Sequence, residues 1–366
     1  MKLTRFNAIH KKLNAKMVEF AGYEMPIQYP NGIAAEHKLI REKVGVFDVS
    51  HMGEFEVTGE DALSFLQYLT VNDVAKLNVG NVQYSCMCYE NGGIVDDFLV
   101  YNIDNNYMMV VNGANITKDW DWINKIAKNF KVELKDSSDD YNLLAVQGPK
   151  SLQTLQKLTD IDLSEDNLPF YHFKIGKIVD IDTIISRTGY TGEIGYELYF
   201  KGDESICEKI WDAIFEAGAE FGIGPAGLGC RDTLRLEKGY CLYGNDIDPT
   251  TNPIEAGLGW ITKFNKGCDF IASDLLKKIK EEKPVRNLVG LNILADKFIA
   301  RHSYKIFDNK GEKIGYVTSG NMAPSLGKPV AIGYVTAEYK AIGSKVNIEA
   351  RGKLFPAEVV KMPFLI

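Results

Sequence analysis

At 366 residues, with 45% apolar and 25% charged side chains, the chain has the make-up of an ordinary globular protein and is too long for one hydrophobic core. A net charge of −7 and a pI near 5.4 argue against a nucleic-acid-binding surface, which is normally basic. The N-terminal Met1-Lys-Leu-Thr-Arg-Phe-Asn-Ala carries no long apolar run, so neither a signal peptide nor a membrane span is expected, and the cytoplasm is the default location.

In chain order, residues 33–44 read as a helix with Ala34, His37 and Leu39 or Ile40 on one side. Residues 45–57 read as a strand, a break and an alternating strand. Asp61 is placed to cap a helix that turns Ala62, Phe65, Leu66 and Leu69 inward. Residues 84–89 and the run from Ile94 to Tyr101 bracket Gly92 and Gly93, and so read as a hairpin. The second of these strands carries Asp96 and Asp97 in its apolar middle. Successive strand residues point to opposite faces, so one of the two carboxylates faces inward. A buried carboxylate must be hydrogen-bonded or kept for chemistry; the plainer alternative is an acidic strand end.

Residues 107–112 form another apolar strand, running into a helix whose spacing puts Ile116, Trp120, Ile123, Ala127 and Phe130 on one stripe. The mixture of hairpins and helices over 51–140 predicts an α+β fold rather than repeated βαβ units. Pro149 suits the first helical position ahead of Leu152, Leu155 and Leu158. Ile206, Ile210 and Ile214 mark a further buried helix face. Residues 288–294, 305–307, 313–318, 330–335, 345–350 and 357–361 read as short strands, punctuated by Asp308-Asn-Lys-Gly311 and Arg351-Gly352, which predicts a small C-terminal β-barrel or sandwich. The Lys-rich, Pro-containing run 277–284 reads as the linker before it.

The six cysteines are Cys86, Cys88, Cys207, Cys230, Cys241 and Cys268, and the five histidines make no His-x-x-x-His pair. No zinc or redox spacing results, so no metal is expected and the cysteines read as small hydrophobes in a reducing compartment. In Arg187-Thr-Gly-Tyr-Thr-Gly-Glu-Ile-Gly-Tyr-Glu197, glycines at 189, 192 and 195 permit a tight bend or a close ligand. Tyr190 and Glu193 there suit a flat heterocycle, or else simply cap a hairpin turn. Further on, a helix ends at Gly239 and shows Arg231 and Arg235 on one face. Either the two arginines form salt bridges with Asp232, Glu237 and neighbours, or one of them reaches a carboxylate or phosphate ligand.

Phe47-Asp-Val-Ser-His-Met52, Gly92-Gly-Ile-Val-Asp-Asp97, the 187–197 run, Arg231-Asp-Thr-Leu-Arg-Leu-Glu237, Leu242-Tyr-Gly-Asn-Asp-Ile-Asp248, Val317-Thr-Ser-Gly320 and Lys361-Met-Pro-Phe364 occur in that order. Together they resemble the aminomethyltransferase, or T protein, family of the glycine cleavage system over nearly the whole chain. The resemblance implies transfer of the methylene of an aminomethyl group, carried on the lipoyl arm of H protein, to tetrahydrofolate as co-substrate, with release of ammonia. It implies an α+β three-domain cloverleaf around a central folate channel. The first domain would be discontinuous over 1–50 and 141–275, the second would span 51–140, and a small β-barrel would span 285–366. It assigns the critical acid to Asp97 and folate contacts to Met52, Tyr84, Val111, Asn112, Tyr190, Glu193, Arg231 and Trp260. Some relatives carry a longer tail with a site-closing residue, a contact not expected here because the sequence stops at Ile366.

Two other readings share the scaffold. A folate-dependent demethylase usually departs from the paired-aspartate motif, which is intact here. A non-catalytic folate-binding accessory protein resembles Lys-Gly-Cys-Tyr-x-Gly-Gln-Glu where this chain has Lys238-Gly-Tyr-Cys-Leu-Tyr-Gly-Asn-Asp.

Overall fold

The alternating runs become strands in three open sheets and one closed barrel among the described residues, and the helical stripes pack on them. The structure is a computed structural model that describes residues 1–104, 106–295 and 297–365. The chain divides into two units. One contains Met1–Leu66, Val74–Tyr84 and Phe98–Asp232; the other contains Gln67–Asp73, Ser85–Asp97 and the chain from Thr233 onward. No helix among the described residues is long and apolar enough to cross a membrane.

The first unit holds a six-stranded sheet in the order Phe173–Ile178, Ile181–Ser186, Gly195–Lys201, Tyr141–Gln147, Gly45–Asp48, Gly224–Pro225. Its buried face meets helix Glu204–Gly218, where Ile210 and Ile214 are wholly buried as their four-residue spacing predicts. Asp203 caps that helix, its carboxylate accepting the amides of Ser205 (3.1 Å) and Ile206 (3.2 Å). Phe6, Leu144, Val146, Tyr196, Leu198 and Trp211 complete this core. A five-stranded sheet runs in the order Val82–Cys88, Ile94–Ile103, Asn106–Val111, Gly53–Thr58, Glu133–Asp136.

Two expected details differ. Helix Ile116–Ala127 buries Asp119, Trp122, Ile123 and Ile126, a stripe rotated from the expected one, because the Asp119 carboxylate lies inside with Lys118 Nζ at 2.9 Å. The run read as a linker is mostly helix Ser273–Glu282, whose lysines face solvent while Leu276 is buried; only Lys283, at φ +68°, breaks it before Pro284.

In the second unit the C-terminal strands close into a six-stranded barrel: Arg286–Ile293, Lys328–Thr336, Lys313–Ala323, Lys305–Phe307, Lys345–Ala350, Lys353–Val360. Its interior is aliphatic, with Leu291, Ile306, Val317, Ala331, Val335 and Ile348 fully buried. Helix Leu228–Glu237 ends as expected, with Gly239 left-handed at φ +68°. Arg235 makes its described ion pair outside this helix. Its guanidinium reaches past the helix end to Asp246 at 2.7 Å and to Ser319 Oγ at 2.9 Å, and neither charged side chain is more than 2% exposed. Asp246 also accepts from Thr318 Oγ1, Ser319 Oγ (3.0 Å) and Leu242 N (3.0 Å), and its carbonyl accepts from Tyr334 OH (2.9 Å). A second buried cation, Lys266, donates to the carbonyls of Gln67, Thr70 and Asn72 at 2.5, 2.6 and 3.0 Å.

Removing one partner of a buried ion pair strands the other charge, at a cost of ~3–5 kcal/mol. Asp246→Ala is therefore expected to lower the urea midpoint by that energy, measured by equilibrium unfolding. A loss below ~1 kcal/mol, the size of an exposed pair, would show that water screens this one.

Candidate functional site

The hairpin carrying the paired aspartates uses its two glycines differently. Gly92 adopts φ +82°, a conformation open to glycine but strained for most residues. Gly93 is needed for space: a Cβ there would stand 2.0 Å from the carbonyl oxygen of Pro249. Tyr89 N donates to Gly93 O (2.8 Å) and Gly92 N to Tyr89 O (2.9 Å), closing the turn. The strand then continues along the 243–251 segment, with Ile94 N bonded to Thr251 O (2.9 Å) and Tyr243 OH to Ile94 O (3.2 Å). Asp96 is wholly buried and Asp97 is half-buried, as opposite faces require. Around Asp97 lie thiols: burial pushes the pKa of Cys86 well up, the neighbouring Cys88 and the Asp97 charge add to this, and Cys241 is raised likewise by burial, Asp246 and Asp97. A thiol so held stays protonated and is a poor nucleophile.

In the first unit, strands Ile181–Ser186 and Gly195–Lys201 are joined by the glycine-rich 187–194 segment, and a single amide side chain shapes it. Gln147 Nε2 donates to Thr188 O (3.1 Å), and Gln147 Oε1 accepts from Thr191 Oγ1 (2.8 Å). Cβ atoms at Gly189 and Gly195 would lie 2.1 and 2.4 Å from that amide, so both glycines are dictated by Gln147. Gly192 alone of the three is left-handed, at φ +72°.

This clip presents Tyr190, and the Arg231 guanidinium lies over its ring with 4.3 Å between guanidinium carbon and centroid. The Arg231 charge also reaches Glu197 and His51. Burial raises the pKa of Glu197, against the opposing influence of Thr188, Arg231 and Tyr199. Behind Glu197 runs a chain of hydroxyls. Thr188 Oγ1 donates to Glu197, Ser186 Oγ lies 2.9 Å from Thr188 Oγ1, Tyr101 OH donates to Ser186 Oγ (3.1 Å), and Tyr199 OH lies 3.0 Å from Tyr101 OH. Burial pushes both tyrosines up, so they remain hydrogen-bond donors at neutral pH.

Glu193, expected as a ligand contact beside Tyr190, is ion-paired with Arg41 Nη1 at 2.9 Å. The Arg231 charge reaches Glu197, a residue that the sequence pattern did not single out. Met52, Val111 and Asn112 come together: Gly53 pairs with Val111, and Gly113 packs on the His51 carbonyl. Tyr84, half-buried, belongs to the same unit, on strand Val82–Cys88. Trp260, in the second unit, is 64% exposed, and its carbonyl accepts from Lys263 Nζ.

Comparison with known proteins gives one consistent answer. The profile described as the GCVT N-terminal domain matches residues 6–266, and that of the glycine cleavage T-protein C-terminal barrel domain matches 286–365. An aminomethyltransferase of Bacteroides fragilis is 55% identical over 367 residues, covering 100% of this chain and 99% of the relative. One of Flavobacterium psychrophilum is 51% identical over 366 residues, with the same coverage. The crystal structure of glycine cleavage system aminomethyltransferase T from Bartonella henselae superposes with a TM-score of 0.91 at 35% identity, covering 100% of this chain and 98% of that one.

The Gln147 clip is open to a direct test. Gly195→Ala forces the amide out of its place and is expected to destabilise by ~1–3 kcal/mol, as overpacking does. In a Gln147→Ala background the same substitution should cost markedly less, so the double-mutant cycle reads the clash itself. Additive losses would show that Gly195 is required for some other reason.

Proposed function

The chain belongs to the glycine cleavage T-protein family, whose aminomethyltransferase activity it has, and we propose that its substrates are tetrahydrofolate and the aminomethylated lipoyl arm of an H protein. Methylene transfer forms two bonds to one carbon, from N5 and N10 of the folate, and breaks the carbon–nitrogen and carbon–sulfur bonds, so that ammonia and a thiol leave. The carbon passes through an iminium-like state, which a nearby carboxylate stabilises and a positioned acid–base group assists.

One observation carries the folate reading: Arg231 lies flat on Tyr190 with its charge reaching the desolvated Glu197. An aromatic face suits a flat ring, a guanidinium fork suits a carboxylate, and a carboxyl group suits ring N–H donors. Tetrahydrofolate has all three. Met52, Tyr84, Val111, Asn112 and Trp260 are retained as folate contacts and Glu193 as a second candidate acid at the ring, with Glu197 added beside it. The family resemblance assigns the proton work and the charge stabilisation to Asp97. The H protein is proposed as partner because a thiol-bound aminomethyl group needs a carrier, and the cytoplasm as location because both substrates are expected there.

Calorimetry is expected to show tetrahydrofolate binding in the micromolar range, about −8 kcal/mol. Arg231→Ala should weaken that binding more than it weakens a tetrahydropterin lacking the glutamate tail. No folate binding up to millimolar would sink the reading, and equal losses for both ligands would make Arg231 structural.

Asp97→Asn keeps the side-chain volume but removes charge and basicity. The turnover number is expected to fall ~10²–10⁴-fold with the melting temperature little changed. Asp96→Asn, at a wholly buried position, should show the reverse: lower thermal stability, with activity largely kept by the folded fraction. Wild-type turnover in Asp97→Asn would remove that residue from the chemistry.

A further inference from the structure

Behind Glu197, a row of hydroxyls crosses from one sheet to the other inside the first unit. Glu197 and Ser186 are register partners on neighbouring strands of the six-stranded sheet, and Tyr199 lies two residues further along the Glu197 strand. Tyr101 comes from strand Ile94–Ile103 of the five-stranded sheet. Its ring is fixed between those of Phe173 and Tyr199, at centroid distances of 5.3 and 5.5 Å. Thr188, Ser186, Tyr101 and Tyr199 are all buried, so each hydroxyl finds its partner within the row and not in bulk water.

A hydroxyl has one proton to give. Thr188 gives its proton to Glu197 Oε2, so in the 2.9 Å contact with Ser186 Oγ it is Ser186 that donates. Ser186 in turn accepts from Tyr101 (3.1 Å), and Tyr101, its proton committed, accepts from Tyr199 (3.0 Å). Every proton in the row points towards one carboxylate. Hydrogen bonds aligned in this way polarise one another, and donors aimed at a carboxylate favour its charged form. Burial acts on Glu197 in the opposite sense. Packing alone does not call for these hydroxyls: apolar groups of the same shape would fill the space, and replacing both partners of a hydrogen bond in that way can be nearly neutral.

Resting on the folate reading above, we propose that Thr188, Ser186, Tyr101 and Tyr199 are positioning residues that hold Glu197 ionised, so that the flat ring meets a carboxylate able only to accept hydrogen bonds. Thr188 occupies one of the roughly four acceptor sites of that carboxylate. Glu197 is half-buried, which leaves its remaining sites for ring N–H donors. A protonated carboxyl would set an O–H donor against those donors. The four residues act through Glu197 and not on the ligand. Arg231, from helix Leu228–Glu237, and Glu54, from strand Gly53–Thr58, are the charged side chains of other elements whose fields bear on Glu197, and both are kept in every variant below.

The test is an infrared pH titration of the full-length protein without ligand. It follows the protonated-carboxyl band of Glu197, identified by its absence in Glu197→Gln. In the wild type the band should be missing at pH 7 and appear on acidification. Thr188→Val should move the midpoint up by about one pH unit or more, the value of a hydrogen bond to a charged group. Ser186→Ala and Tyr101→Phe should move it the same way by successively smaller amounts, and Thr188→Ser should restore it. Binding needs the charged form, so tetrahydrofolate affinity, measured by calorimetry, should weaken as pH falls through the midpoint, and at higher pH wherever the midpoint is raised. A band already present at pH 7 in the wild type overturns the proposal, and that measurement holds even where a variant fails to fold. An unmoved midpoint in Thr188→Val, or a Thr188 effect with none from Ser186→Ala and Tyr101→Phe, overturns it as well. Folate affinity that ignores the midpoint overturns this inference alone, whereas wild-type protein that binds no folate overturns the folate reading and this inference with it.

Discussion

An ion pair sealed from water, Arg235 with Asp246, is the constraint on which the second unit depends. Taking two charges out of water costs several kcal/mol per ion, and their attraction offsets this only when every remaining donor and acceptor is occupied. Here Asp246 is saturated by Thr318, Ser319 and the Leu242 amide, while Arg235 spends a further bond on the Tyr240 carbonyl at 3.2 Å. Such a pair sets position more than it adds stability. It ties the end of helix Leu228–Glu237 to barrel strand Lys313–Ala323 and gives the 240–248 segment a single course. That segment runs on to Pro249 and Thr251, which meet Gly93 and Ile94 at the start of the aspartate strand. The aspartate strand thus begins against a segment whose course the charge pair sets.

The first unit solves a different problem with weaker forces. It has to present an aromatic face and a cation from a segment rich in glycine, which loses more backbone freedom on folding than any other residue. The amide of Gln147 takes up that freedom by bonding both ends of the bend, and the glycines at 189 and 195 exist to leave it room. Arg231 then acts on three neighbours through one charge. It lies over the Tyr190 ring, opposes the desolvation of Glu197, and adds to the burial that lowers the His51 pKa. The hydroxyl chain through Thr188, Ser186, Tyr101 and Tyr199 anchors Glu197 from behind without adding charge.

What could be read in advance was what local chemistry decides. The 92–93 turn, the Ile210 and Ile214 face of a helix, the end of a helix at Gly239 and the strands of the barrel follow from glycine's φ range, helical spacing and alternation, all of which act over a few residues. The rest depends on burial and contacts that hydrophobic spacing does not encode. Helix Ile116–Ala127 turned because Asp119 is buried, and a buried carboxylate looks like a solvent-facing one to any hydrophobic pattern. Spacing left Arg235 either to salt bridges near its own helix or to a ligand, and its partner Asp246 lies beyond the helix end. Only long-range geometry shows that Arg41 pairs with Glu193 and that the Arg231 charge reaches Glu197. The resemblance to a family supplied the reaction, but it could not say which hydroxyls stand behind Glu197.

Lys266 invites a reading of its own. Its ammonium, held by one carbonyl in the last turn of helix Ala62–Leu69 and two just past it, does the work usually left to a glycine or to water at a helix end. Burial draws its pKa down to about 8, and once the segment opens that depression is lost and the amine reacts as an ordinary exposed lysine does. As long as the structure is closed, no acylating reagent can reach it. The rate at which such a reagent labels this one amine therefore measures how often the 67–73 segment lets go, a built-in clock for local opening far below the global unfolding free energy.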